Sequence, residues 1–241
     1  MKIEMHVHTR FSKDSLLPLH ILLLMCKIKK IKCIAITDHN EIKGAIKAKK
    51  IFEKHKVNVI VGEEILTEQG EIIGLFLNSK IEKNLTAKET IQEIKKQNGL
   101  VYVPHPFDQK RNKTVLQYEQ LIVNKSYVQL IECYNGRNID KEYGIKQNEI
   151  AEKIGKIKVI GSDAHTWFEV GRNTMEIKSF NTQEEFLTNL KNAEFKTQKC
   201  IKLAHIVTKI DKTIKMIFKG DFNGINRIII KKFKGREQKT S

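Results

Sequence analysis

No stretch of this 241-residue chain is long and apolar enough to read as a membrane span. The longest apolar run, LLPLHILLLM at 16–25, is too short for a bilayer and is broken by Pro18 and His20. A signal peptide is not expected either, because MKIEMHVH passes at once into a strand pattern without a small-residue cleavage site. Cysteine is sparse: Cys26, Cys33, Cys133 and Cys200 lack C-x-x-C spacing, which argues against a disulfide scaffold and against a zinc knuckle. There is no G-x-S-x-G elbow, and Cys133 has no histidine base beside it in sequence, so covalent catalysis has no support. Internal repeats and low-complexity linkers are absent as well. What remains is a reduced, cytoplasmic protein without membrane contact, built as one large domain or a domain with an appendage, and long enough to bury a sizeable core.

Arginine is scarce too, at six residues, so the net charge of +16 is carried by lysine. That charge is uneven: residues 196–241 hold thirteen Lys/Arg against Asp211, Asp221 and Glu237, a net +10 that leaves +6 for residues 1–195. The boundaries follow, with a main unit at 1–195 and a basic C-terminal extension at 196–241. Such an extension either attracts polyanions, nucleic acid among them, or reflects a chain that favours Ile, Lys and Asn throughout. Within it, Ile206, Ile210, Ile214 and Ile217 recur at near-helical spacing. This stripe is expected to pack on the main body.

In the main unit, short β-branched runs alternate with helical patterns, the signature of a βα protein with a mostly parallel sheet or barrel. Strands are expected at 2–8, 33–37, 57–61, 72–77, 100–104, 128–133 and 157–161, and helices near 18–30, 42–55, 87–97 and 140–155. The third helix has a start signal, Thr86 with Glu89 three positions on, and a stop at Gly99.

Alternation along the first strand puts Ile3, Met5 and Val7 on one face and Glu4, His6 and His8 on the other. An H-x-H pair by itself reads either as a solvated face or as two imidazoles able to chelate one ion. The ends of the later strands decide between these. The second ends TDHN (Asp38, His39), the third GEE (Glu63, Glu64), the fifth PHPF (His105), the sixth IECYNGR and the seventh GSDAH (Asp163, His165). Five of eight histidines sit at these edges, the face where βα barrels build active sites. His20, His55 and His205 lie in helical patterns and read as structural or surface residues. Imidazoles and carboxylates converging on a partly buried pocket need a compensating cation, and mixed N/O donors suit Zn, Mn or Fe better than Mg or Ca.

In order, HVHT, FSKDS, TDHN, GEE, PHPF, IECYN and GSDAH closely resemble the PHP (polymerase and histidinol phosphatase) family of metal-dependent phosphoesterases, over residues 1–180. The resemblance implies an α/β fold, a distorted seven-stranded (β/α)7 TIM-like barrel, here with a basic, partly helical C-terminal extension, and two or three divalent ions (Zn, Mn or Fe) at its mouth. Carried over by position, it implies His6, His8, Asp14, His39, Glu64, His105, Asp163 and His165 as ligands. Asp38 would orient an imidazole, and Glu63 would not ligate. Glu71 stands in EIIG where many members have a histidine, and joins the ligand set as a carboxylate replacement. Glu132, Cys133 and Asn135 occupy a variable stretch and are left outside that set.

The expected function is hydrolysis of a phosphate ester by a metal-activated hydroxide, with Asp38, His39, Asp163, Arg137 and Arg172 in catalytic roles. Arg137, Arg172 and, less directly, Arg10 are the cations available to hold phosphate. The substrate is expected to be a phosphomonoester or nucleotide, or an oligonucleotide end favoured by the basic tail. Histidinol phosphate is a further alternative. A reading from a different class is a non-catalytic metal- or nucleic-acid-binding module on the same scaffold.

Overall fold

The period-two runs do form strands, and the sheet they build curls round until its two ends nearly meet. The computed structural model describes residues 1–111, 114–140 and 142–221, so residues 222–241 of the basic extension lie outside the described residues. The strands are β1 (Lys2–Val7), β2 (Cys33–Ile36), β3 (Asn58–Thr67), β4 (Gly70–Leu75), β5 (Leu100–Val103), β6 (Val128–Asn135), β7 (Ile157–Gly161), β8 (Thr174–Glu176) and β9 (Glu194–Lys196). The helices are α1 (Leu19–Ile28), α2 (Lys43–Phe52), α3 (Ala87–Lys96), α4 (Tyr118–Val123), α5 (Ile145–Lys153), α6 (Gln183–Leu190) and α7 (Lys202–Phe218). Sheet order is β7-β6-β5-β4-β3-β2-β1-β8-β9.

Nine strands, not seven, make this sheet. The two additional ones, β8 and β9, are three residues each and pair antiparallel outside β1, too short to leave a periodic trace in the sequence. Nor is the order uniformly parallel: β3, β4 and β5 are antiparallel neighbours, because Glu68 and Gln69 join β3 to β4 as a hairpin in place of a helical crossover. Closure comes from the residues after β7. Ser162 N–H donates to Met5 O at 3.0 Å, Ala164 N–H to His6 O at 3.2 Å, and His8 N–H to Ala164 O at 2.8 Å.

Two apolar layers follow from the alternation. Ile3, Met5, Cys33, Ala35, Ile60, Ile73, Tyr102, Leu130 and Val159 fill the inside of the curl, where α6 adds Phe186 and Leu190. Ile34, Ile36, Val59, Val61, Val101 and Ile131 face outward onto helices carrying Leu22, Ala45, Phe52, Ile91 and Ile94. The capping box of α3 forms as its sequence requires, with Glu89 N–H on Thr86 Oγ1 at 3.2 Å and Thr86 N–H on Glu89 Oε2 at 2.9 Å.

The isoleucine stripe of α7 does not pack as expected. Ile206, Ile210 and Ile217 are 55%, 53% and 53% exposed. The helix docks instead through buried Ala204 and through polar anchors on the opposite face. Asp211 Oδ2 accepts from Leu16 N–H at 3.1 Å, Arg137 Nη2 donates to Thr208 Oγ1 at 2.8 Å, and Lys215 Nζ donates to Arg10 O at 2.6 Å and to Ser12 O. Hydrophobic periodicity marks an amphipathic helix but does not say which face the tertiary contacts will choose.

Candidate metal centre

Strict alternation would have sent Glu4, His6 and His8 to one side of β1, and the structure departs from it at one point. Between Glu4 and Val7, β1 spends three residue steps where β2 spends two, from Ile34 to Ile36, which is a β-bulge. At the bulge His6 takes a left-handed backbone conformation (φ 64°). Met5 and His6 therefore both turn inward, Val7 turns out to the helical layer, and His8 turns in again. Glu4 is left on the other face, where it accepts from Ser162 Oγ at 2.6 Å and from Gly171 N–H at 2.9 Å. His105 and Asp163 also adopt positive φ (30° and 51°). Non-glycine residues held there cost on the order of 1 kcal/mol or more and collect at functional sites.

All nine side chains expected to ligate metal meet at one mouth of the curl. They form four overlapping groups whose donor atoms lie within 4.8 Å of one another: His8, Asp14, His39 and His165; His6, Glu64 and His105; His6, His8 and Asp163; and His39, Glu64 and Glu71. Glu64 is the hub. Its Oε2 lies 3.4 Å from His6 Nε2, 3.3 Å from His8 Nε2 and 3.1 Å from His39 Nδ1, and its Oε1 lies 3.0 Å from His105 Nε2. Asp163 Oδ1 lies 3.6 Å from His6 Nε2 and 3.4 Å from His8 Nε2. On the outer side Asp14 reaches His39 Nε2 at 3.4 Å and His165 Nε2 at 3.3 Å.

These residues fit divalent ions. Buried His6 Nε2, His8 Nε2, His39 Nδ1, Glu64 Oε2 and Asp163 Oδ1 make no hydrogen bond among the described residues, although buried polar atoms are normally paired. Their spacings are those of ligands sharing an ion, since atoms held about 2.0–2.2 Å from one centre stand roughly 3.0–3.5 Å from each other. Without an ion the electrostatics are divided. Burial alone would lower the pKa of His6, but Asp163, Glu64 and Glu132 hold it well above its usual range. Burial and the His165 ring, stacked with centroids 4.1 Å apart, keep His8 well below. Asp14, Glu64 and Asp163, which burial would raise, are held well below the carboxylate range by their cationic neighbours.

A second layer holds the first. Glu132 is fully buried, and its Oε1 meets His6 Nδ1 at 2.9 Å and the Tyr102 hydroxyl at 2.5 Å. Its Oε2 accepts from His105 N–H at 2.6 Å and Asn135 Nδ2 at 2.9 Å, so it positions two histidines and has no oxygen left over for an ion. Asn135 also reaches Asp163, while Cys133 turns outward to Gln147 O. Asp38 does not orient an imidazole as expected: its carboxylate accepts from Thr9 N–H and Thr9 Oγ1, pinning the turn after β1, and burial raises its pKa to about 6. Glu63 turns away from the cluster to accept from Ile81 N–H.

Glu132 fits only because residue 161 is glycine. A Cβ there would lie 1.7 Å from Glu132 Oε1 and 3.0 Å from His6 Cβ. Gly161→Ala is therefore expected to displace Glu132 and weaken metal binding by about 10- to 100-fold, the usual cost of losing such a partner. Titration of metal-free protein measures this, and unchanged affinity would show that Glu132 does not hold His6 in place.

The mouth opens into a cavity of about 540 Å³ that runs from Asp14, His39 and His165 to the surface of α7. Arg137 lines it as expected, 6% exposed, with Nε 3.3 Å from Glu169. Arg172 does not: its exposed guanidinium donates to Lys199 O at 3.0 Å, outside the cavity lining. Arg10 is exposed and likewise outside that lining. His205, read from sequence as an ordinary residue, lines the cavity and meets Arg137 O at 3.0 Å. Arg111 escaped notice altogether. It pairs through Nη2 with Asp163 and through Nε with Asp108 at 3.2 Å, and in QKRNK nothing sets it apart from a solvated charge.

Comparison with known proteins bears on this arrangement. Over residues 4–212 the sequence matches the family described as the PHP domain. An uncharacterized protein of Methanocaldococcus jannaschii is 37% identical over 201 residues, covering 79% of each chain. Among solved structures, a two-domain protein from Bacteroides vulgatus containing a PHP-like metal-dependent phosphoesterase aligns with a TM-score of 0.69 at 17% identity over 82% of this chain. This chain spans 65% of that protein's length. An amidohydrolase from Chromobacterium violaceum, with bound sulfate and no metal, aligns with a TM-score of 0.61 at 15% identity, covering 78% of this chain and 96% of its own. At such identities the likeness of the two structures is one of fold.

Proposed function

This chain belongs to the PHP-domain family, and from that premise we propose that it is a metal-dependent hydrolase of phosphate esters. His6, His8, Glu64 and Asp163 would hold one divalent ion and Asp14, His39 and His165 a second. Glu64 with His105 and Glu71 offers a third position. Zn, Mn and Fe suit this mixed donor set. When bound, such ions supply a water acidic enough to ionise near pH 7 and neutralise charge on the phosphoryl oxygens.

The remaining work falls to the chain itself. Glu132 accepts the Nδ1 proton of His6 and so fixes the tautomer that turns Nε2 inward. Arg111 occupies Asp163 Oδ2, which leaves Oδ1 to face the histidines. Arg137, beside the ligands in the cavity, presents a planar fork of N–H donors matched to phosphate oxygens. The substrate proposed is a phosphomonoester or nucleotide, or the end of an oligonucleotide.

One observation carries the reading: buried donor atoms from nine ligand-type side chains, several without hydrogen-bond partners, converge on a mouth that opens into a cationic cavity. The test is metal analysis of the purified chain, followed by Mn- or Zn-dependent turnover of a generic aryl phosphate. Bound divalent metal and measurable turnover are expected, with His39→Ala and Asp163→Ala each losing about 10³-fold or more. Wild-type-like turnover in metal-replete variants overturns the assignment. Tight metal binding without turnover of any phosphate ester would mark a non-catalytic module.

A further inference from the structure

Five positive side chains line the 540 Å³ cavity beside the metal ligands: Lys110, Arg111, Arg137, Lys202 and Lys209. A volume of this size suits a small ligand, for which pockets run about 300–1,000 Å³. Besides Asp14, which faces His39 and His165, the carboxylate in its lining is Asp108, and Arg111 already pairs with it. Among the described residues Lys110, Lys202 and Lys209 have no carboxylate partner. Arg137 is a different kind of cation, because it is buried. Its Nη2 is tied to Thr208 of α7, and its Nε makes no hydrogen bond and stands 3.3 Å from Glu169 Oε1. A buried guanidinium with an unused donor, beside three unpaired lysines, is a surplus of positive charge that one phosphoryl group at the metal ligands does not account for.

The positions of these groups divide the cavity. Asp14, His39 and His165 form one wall, and Lys202, His205, Thr208 and Lys209 of α7 form the other. We propose that the α7 wall is a second anion subsite, so that the preferred substrate carries a further phosphate besides the one hydrolysed. The inference rests on the phosphoesterase reading above. Arg137 binds the second phosphate through its planar fork, and Lys202, Lys209 and Lys110 surround it as mobile point charges. The helix is thus the element that sets specificity, and it reaches the cavity because Asp211 and Lys215 clamp it to the turn carrying Asp14.

The experiment uses the metal-loaded full chain and a matched pair of substrates, a sugar monophosphate and the corresponding bisphosphate. The wild type is expected to favour the bisphosphate by about tenfold or more in kcat/KM. The double variant Lys202→Ala/Lys209→Ala should lower that ratio by about tenfold, through KM. Both lysines are exposed, so the double variant is expected to fold. Arg137→Lys should lower the ratio as well, because a point charge does not replace the fork. Equal kcat/KM for the two substrates in the wild type, or an equal loss on both in the variants, overturns the subsite. Pyrophosphate binding, measured by calorimetry on the same proteins, separates this outcome from failure of the phosphoesterase reading. If the wild type turns over no phosphate ester, pyrophosphate affinity that falls in the double variant still supports the anion subsite, and undiminished affinity removes it.

Discussion

Glu64→Gln is expected to lower kcat/KM on an aryl phosphate by about 10³-fold or more and to reduce the metal content per chain. The size of the effect follows from position. This one carboxylate lies within 3.0–3.4 Å of His6, His8, His39 and His105 and belongs to two of the four donor groups. Glutamine keeps the shape but loses the charge, so an ion gathered by these imidazoles loses its nearest counter-charge. The adjacent residue supplies the control. Glu63 is equally buried and accepts a backbone hydrogen bond from Ile81, and burial raises its pKa to about 7. Glu63→Gln preserves an acceptor at that place and should leave metal content unaltered. A Glu64→Gln protein with full metal content and full turnover would remove the hub from the mechanism.

Metal-free protein is expected to lose stability as pH rises from about 6.5 to 9, and added Zn or Mn to restore it. Burial by itself would lower the pKa of His39, but Glu64 and Asp14 overcome burial and raise it from 6.5 to about 9. A histidine raised on folding contributes stability that is complete below its unfolded pKa and is lost as pH passes through the folded value. Glu4 acts in the same direction, since burial raises it to about 8 and its contribution also fades with rising pH. His8, held low by burial and by His165, acts oppositely below pH 6.5, so the clear window lies above that value. The His39 shift alone corresponds to about 3 kcal/mol, or roughly 6–12 °C in Tm for a chain of this size. Metal binding displaces the imidazole protons, so the Tm gain on adding metal should grow across the same window. Thermal melts at pH 6.5 and 9, with and without metal, read both effects. A metal-free Tm that stays flat or rises through the window would contradict the electrostatic account of the site.

Much of the site was legible in the sequence because strand ends are local features. A β-branched run followed by TDH, GEE, PHP or GSDAH announces a chemistry-bearing side chain at a sheet edge, and five such edges in succession make a shared mouth the simplest reading. The capping box of α3 was legible for the same reason, since Thr86 and Glu89 act on each other within one turn. Glu132 was not. Nothing in IECYN distinguishes a ligand from a second-layer acceptor, and its role follows from His6, Tyr102 and His105, which approach from two other strands.

The chain by itself determined which segments become strands and helices, and which side chains stand at the strand ends, because both depend on periods of a few residues. Tertiary structure alone decided the rest. The bulge that turns His6 inward and Glu4 away arises from pairing with β2, and the link between Arg111 and Asp163 spans fifty-two positions. The docking face of α7 was likewise chosen by Asp211 and Lys215 over its isoleucines. A local pattern states what a face is made of, whereas its orientation depends on contacts with residues far away in the chain, and the pattern carries no record of them.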